Sequence, residues 1–468
     1  MRKIVRESKF RNVYGQSYQK EKQFDGVVTS ASRLDGNLVA INRLFIAAVL
    51  PTSGGGVFTV LRRDKPGRYD TFVKYEGHAA EILDLSWSPF DPYKIASGSD
   101  DGLVLVRWVE QDETKTEDKS SVVTLKQSSR RVVQTQWHPS ALDILFVVNL
   151  DSINIFDVET QDCIRCIDTS RMNDTIFSFC LNYEGSLAAA GFKDKKVRIF
   201  DMMTGEMKTE FITHEGTKAI KVAWLLGMYG DDLLITSGST KMSARQLSVW
   251  KISDPSQPLL IEAVDQGSAV FNLFYDRDTK LILSYAKGES SVRFYEFDID
   301  PEPKLHLLTT YSAPDAHRSL AFGSKLCCDF GANEIIHSVR VLNKGLEELM
   351  FIVPRKFEGF QDDLYPDTPG EEPAMSAEEF IEGKIASPLL VSVKTLHSVT
   401  SPLSPVTSVT RSTTFSRRAN VERGPSSVSR SDHEAPFDFN LIQEVKEIRS
   451  MLETMSKRID KLEEKEHE

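Results

Sequence analysis

The feature that most constrains this chain is a repeat. Strand-like segments centred on Val106, Ile155, Ile199, Val249 and Phe294 close similar units, at spacings of 49, 44, 50 and 45 residues. Each unit holds several short runs of alternating apolar residues, punctuated by turns such as Asp101-Gly102 and Thr204-Gly205. A unit of this size makes about four strands and cannot bury its own apolar face. It gains stability by stacking on its neighbours, and closing the stack into a ring leaves few free sheet edges. Residues 27–75 supply another unit, with Val27-Val28, 47–50 and 57–61 as strands around Ser53-Gly54-Gly55-Gly56. Residues 313–353, with the N-terminal segment around Phe10 to Tyr14, supply a last one. The expected fold is all-β: a seven-bladed β-propeller over residues 1–355, closed by strands from both chain ends.

The best unit runs from Gly77-His78 through Trp87-Ser88-Pro89 to the segment 95–102, then Val104, Val106 and Trp108. That layout resembles a WD repeat. Its acidic residue has a structural role, because a turn Asp accepts bonds from turn N–H groups and from a His or Ser on a neighbouring strand. His78, Ser97 and Asp101 are the candidates here. Arg107 stands where the closing Trp of such repeats is usual, with Trp108 one place later, which reads as an adjusted strand end.

Nothing in the chain nominates a catalytic site. Ser53-Gly54-Gly55-Gly56 lacks the Gly-Lys-Ser/Thr that would make it a phosphate loop, His214-Glu215 lacks the second His of a zinc-protease helix, and no Gly-x-Ser-x-Gly elbow occurs. Cys163 and Cys166 form a CxxC, but a zinc site needs two further ligands, and adjacent Cys327 and Cys328 cannot both point inward from one strand. The five cysteines read as ordinary thiols of a reducing cytosol, with no cofactor expected. No apolar run approaches the roughly 20 residues of a membrane span, and the first residues lack the apolar core of a secretory signal.

Charge is unevenly placed. Residues 1–357 carry a net −3, whereas 358–384 hold nine acids and one base. Residues 356–396 nevertheless include Phe357, Phe360, Leu364, Tyr365, Phe380 and Ile381, too many large apolar groups for a free tail, so this extension is expected to pack on the propeller. Ser376 and Glu379 form a capping-box pattern for a short helix there. Residues 397–435 are Ser/Thr-rich and poor in large apolar groups, the composition of a disordered linker, with Ser401-Pro402 and Ser404-Pro405 as candidate phosphorylation sites.

The segment 436–468 carries an unbroken heptad seam: Leu441, Val445, Ile448, Leu452, Met455, Ile459 and Leu462, spaced 4, 3, 4, 3, 4, 3. This marks a coiled coil. Within it, Arg458, Ile459, Leu462 and Glu463 are similar to the trimer-specifying motif of short coiled coils. The Arg lays its aliphatic stem over the core and pairs with a neighbouring chain's Glu. A parallel homotrimer is expected, with a dimer as the alternative.

Several blocks resemble coronins specifically: residues 8–16 (Ser-Lys-Phe-Arg-Asn-Val-Tyr-Gly-Gln), 53–56, 214–217, 241–246, 287–293, 353–356 and 360–366. The resemblance covers roughly residues 4–396. It implies a short coronin that binds F-actin and modulates filament bundling, branching and turnover through the branch-nucleating actin-related-protein complex and cofilin, in the cytoplasm. The rival reading is a WD-repeat scaffold of a trafficking complex or ubiquitin ligase. No nucleic-acid partner is implied. The chain departs from the family at Val28, where many coronins carry an actin-binding arginine; Arg33 is near but out of register. Because filaments are acidic, the basic candidates for contact are Arg6, Lys9 and Arg11, then Arg62 and Arg63, then Lys195 and Lys196.

Overall fold

A computed structural model describes residues 8–18, 23–30, 36–109, 120–126, 128, 130–172, 174–225, 233–356 and 359–400. Seven sheets follow one another along the chain as blades, each built of antiparallel strands save for one short parallel pair, Phe24–Asp25 with Gly67–Arg68. Blade 1 comprises Val39–Ile41, Phe45–Leu50, Gly56–Arg62 and Tyr75–His78, in that order from first strand to fourth. Blades 2 to 6 begin at Ile82, Val132, Ile176, Lys221 and Asn272 and end at Leu125, Asp168, Ile212, Asp265 and Ser312. Blade 7 takes Ser319–Phe322, Glu334–Val341 and Gly345–Ile352 from the far end of the chain.

Blade 7 is completed from the N-terminus. Tyr14–Ser17 pairs antiparallel with the outer strand, Tyr14 opposite Ile352, and Phe24–Asp25 pairs with the same strand at Leu346 and Gly345. The closing strand therefore starts at Tyr14, the last residue of the segment read from sequence, while Phe10 and Val13 bury themselves as packing residues. The sequence reading of Val27-Val28 as a strand is corrected. Val27 is fully buried but Val28 is 47% exposed, both lie outside any strand, and the first strand of blade 1 is Val39–Ile41.

Middle strands such as Ile144–Asn149 and Ser152–Asp157 are buried at every position, because neighbouring blades cover both of their faces. Outer strands such as Cys163–Asp168 are mostly half-buried or exposed. The core is thus a ring of inter-blade clusters. One contains Phe146 and Phe179 of blades 3 and 4, another Phe294 and Phe351 of blades 6 and 7.

The extension joins these clusters. Leu364, Tyr365 and Val393 enter the blade 6–7 cluster, and Met375 and Phe380 enter that of blades 3 and 4. Helix α1 (Ala377–Ile381) begins at a complete capping box: Ser376 Oγ accepts from the Glu379 N–H (3.2 Å), and Glu379 accepts from the Ser376 N–H (3.0 Å). Ile381, expected to pack inward, is instead 50% exposed on the outer side of that helix. Helix α2 (Val393–Thr400) runs past the boundary at 396, so the first residues assigned to the linker are helical, and His397 stacks on Phe360 at 5.4 Å. The heptad seam 441–462 and the Ser-Pro sites lie outside the described residues.

Candidate functional site

The repeat's polar residues assemble as a buried relay. His78 ends the outer strand of blade 1, while Ser97 and Asp101 belong to blade 2. His78 Nδ1 lies 3.1 Å from Asp101 and Nε2 lies 2.9 Å from Ser97 Oγ, and Asp101 also accepts the N–H groups of Ala79 and Leu103 at 2.9 Å. Burial holds the His78 pKa below its ordinary value, with Asp101 working against it. Burial alone would raise Asp101, but its N–H donors and His78 prevail and hold it low. Every group meets a partner inside the fold, so the relay staples one blade to the next.

In blade 5 the same relay ends in Trp250. Its indole N–H donates to Thr236 Oγ1 (2.9 Å), which also meets His214 at 2.8 Å. Arg107 occupies the equivalent place in blade 2, two residues beyond the cross-strand partner of Ser97. Its guanidinium, 4% exposed, donates to the Glu76 carbonyl and to Ser120 Oγ. The Arg thus replaces the indole with a buried bond to the outer strand of blade 1.

The two ends of the ring differ. At one end lie the loops joining first to second strands, and the extension is bound to them blade after blade. Glu371 pairs with Arg43 of blade 1 (2.5 Å), and Thr368 donates to Asp278 of blade 6 (2.7 Å). Ala374 and Met375 donate backbone N–H groups to Ser140 of blade 3, and Ser387 donates to Glu184 of blade 4. This covered end therefore carries the chain's most acidic segment. At the other end lie the loops joining second to third strands and one blade to the next. This open end presents Lys126, Lys193 and Lys344, exposed and without an ion pair among the described residues, together with Arg130, Arg131 and Lys241 in exposed pairs.

The basic residues singled out from sequence fall on both ends. Arg6 lies outside the described residues. Lys9 and Arg11 are exposed on the N-terminal turn near the extension, where Lys9 donates to the Asp363 carbonyl. Arg62 is exposed and paired with Asp64 (2.6 Å). Arg63 is a correction: its side chain is 14% exposed, it pairs with Glu348 of blade 7 (3.0 Å) and it meets His337, so it is a staple of the ring and not a surface charge. Lys195 and Lys196 lie at the open end, the first donating to the Glu215 carbonyl (2.7 Å) and the second pairing with Glu210 (2.6 Å). Val28 is exposed at the same end. Sequence reasoning passed over Lys126, Arg130, Arg131 and Lys344. They are scattered over 218 positions, and only the strand register brings them to one end.

No group of three metal-ligating side chains exists among the described residues, and burial pushes the Cys163 and Cys166 thiols above their ordinary pKa.

Residues 3–68 match the family described as a domain of unknown function (DUF1899), residues 70–106 the WD domain, G-beta repeat, and residues 346–388 a type of WD40 repeat. Human Coronin-2A is 32% identical over 397 residues, an alignment covering 83% of this chain and 74% of the relative. The chain belongs to the coronin family. A coronin-like protein of Schizosaccharomyces pombe and another of Saccharomyces cerevisiae are each 32% identical. The alignments cover 84% and 86% of this chain but 65% and 62% of those coronins, so the chain spans less than two thirds of their length. The crystal structure of the WD40 domain of Toxoplasma gondii coronin superposes with a TM-score of 0.77 at 27% identity, covering 82% of this chain and 98% of that domain.

Proposed function

We infer that this coronin is a non-catalytic actin-filament-binding protein of the cytoplasmic actin cytoskeleton, and that its open end carries the contact. Family membership supports the partner. The observation that carries the geometry is the asymmetry of the ring: one end is occupied by a segment with nine acids and one base, which repels an acidic filament. The other end presents Lys126, Lys193, Lys195, Lys241 and Lys344. Contacts built on exposed charges are screened over about 8 Å at physiological salt, so binding should fall steeply as salt rises.

The reading extends to assembly. The heptad seam and the motif Arg458, Ile459, Leu462 and Glu463 support a parallel homotrimer. Three heads on one filament raise a modest single-head affinity through effective concentration, which suits filament bundling. Regulation of branching and turnover, with the branch-nucleating actin-related-protein complex and cofilin as partners, follows from the family resemblance.

Co-sedimentation with F-actin tests the proposal. The full chain should pellet at low ionic strength and be released by added salt, and a triple charge reversal at Lys193, Lys241 and Lys344 should weaken binding at least tenfold with the fold intact. Deleting 434–468 should weaken binding too, and sedimentation equilibrium of the full chain should give three copies. Absence of binding at low salt refutes the actin assignment. Unchanged binding by the triple reversal refutes the open end as the contact.

A further inference from the structure

The first strands of the blades surround a central channel. Towards the covered end, blades 3 to 6 enclose a cavity of about 350 Å3, within the range of roughly 300–1,000 Å3 that small-molecule sites occupy. Aromatic and aliphatic side chains, among them Phe179, Leu181, Tyr183, Leu273, Phe274 and Tyr275, line it together with polar groups that make up the larger share of its surface. None of the residues lining it is acidic.

The polar groups of this cavity are one-sided. Arg277 follows directly on the first strand of blade 6 and crosses the mouth to stack on Tyr183 of blade 4, its guanidinium carbon 3.7 Å from the ring centre. It has no ion pair among the described residues, and its neighbour Asp278 accepts from Thr368 of the extension (2.7 Å). Burial pulls the Arg277 pKa below its ordinary value, against the opposing influence of Tyr183 and the Asp278 carboxylate. Trp224 of blade 5, 8% exposed, adds a further aromatic side chain to the lining. Gln136 of blade 3 adds a side-chain amide to the same wall. A guanidinium held by stacking beside a side-chain amide offers several N–H donors to an acceptor from outside the chain.

We propose that this cavity binds a small organic anion, a carboxylate or phosphate borne on a flat apolar body. Arg277 would hold the anion, the Gln136 amide would donate to it, and the aromatic walls would take the body. A planar guanidinium already fixed by stacking loses little freedom on receiving two anion oxygens. The aromatic walls select flat ligands over inorganic ions. The site is independent of the filament contact, since it opens inside the channel and uses none of the residues assigned to the open end.

Calorimetric titration of the full chain with three probes tests this: 1-naphthoate, 1-naphthyl phosphate and the uncharged 1-naphthamide. At least one of the two anions should bind once per chain and at least tenfold more tightly than the amide, and the tighter one identifies the anionic group. Arg277→Gln should weaken that anion at least tenfold. Gln136→Leu keeps the size of the side chain but removes the amide and should weaken it about fivefold. It also decides the matter should the Arg277 variant melt early. The proposal is overturned if neither anion binds, if the amide binds as tightly, or if folded Gln136→Leu binds as wild type does.

Discussion

Each end of the ring buries a histidine, and the two are kept neutral in different company. At the open end His78 faces a carboxylate, Asp101, and a hydroxyl, Ser97. At the covered end His138 accepts the N–H groups of Ser140 (3.1 Å) and Ala141 (2.9 Å), while the edge of Phe380 from the extension meets its ring at 4.8 Å. With no charged partner named among its influences, burial alone drives the His138 pKa down to about 3. At His78 the open end thus satisfies its buried polar groups within the repeat, and at His138 the covered end relies on a foreign segment to exclude water. The first solution recurs at His214, which meets Thr236. The second depends on a piece of chain more than 200 residues away.

Removing the extension breaks the comparison most severely. A chain ending at Arg355 loses Leu364, Tyr365, Met375, Phe380 and Val393 from two clusters. A single Phe→Ala change at a packed site costs about 3–5 kcal/mol, so the truncation should cost more than that in denaturant unfolding. A midpoint equal to that of the full chain would show that the extension contributes nothing to the propeller.

Acid sharpens the comparison. His138 is lowered to about 3, and His214 and His317 to about 4, each chiefly by burial. A histidine with a folded pKa below its unfolded value of about 6.5 binds fewer protons folded than unfolded. Its contribution is therefore complete above about pH 6.5, is lost as pH falls, and stops changing below the folded pKa. Each such group should remove about 1.4 kcal/mol per pH unit across that window. In Phe380→Ala the His138 ring, followed by NMR, should titrate well above its wild-type value. An unchanged value would mean that the extension is not what excludes water.

The smallest effect belongs to the open end. Asp101→Ala leaves His78 and two backbone N–H groups without their acceptor and should cost about 1–3 kcal/mol, without disturbing the titration of His138. A loss as large as that of the truncation would mean that the relay, and not the extension, holds the ring together.

Much of this was legible because it is local. The spacing of closing strands, the turn Asp and the capping box at Ser376 each depend on residues within one repeat or one turn, and each is present in the structure. Arg63 was misread for the opposite reason. Arg62 ends a strand and Arg63 begins the turn that follows, and the Arg63 partner Glu348 lies 285 positions away. Val27-Val28 has the composition of a strand, but the pairing edge of blade 1 is taken by Val39–Ile41.

The sequence by itself determined the repeat, the all-β architecture and the family, because periodic apolar patterns and short turn motifs act over a few residues and survive without their neighbours. Tertiary structure alone decided which end of the ring is covered, which lysines share a surface, and that Arg277 reaches across the channel to Tyr183. Those facts follow from closing a ring. Closure sets side by side residues that the chain separates by tens to hundreds of positions, and no local pattern records which of them will meet.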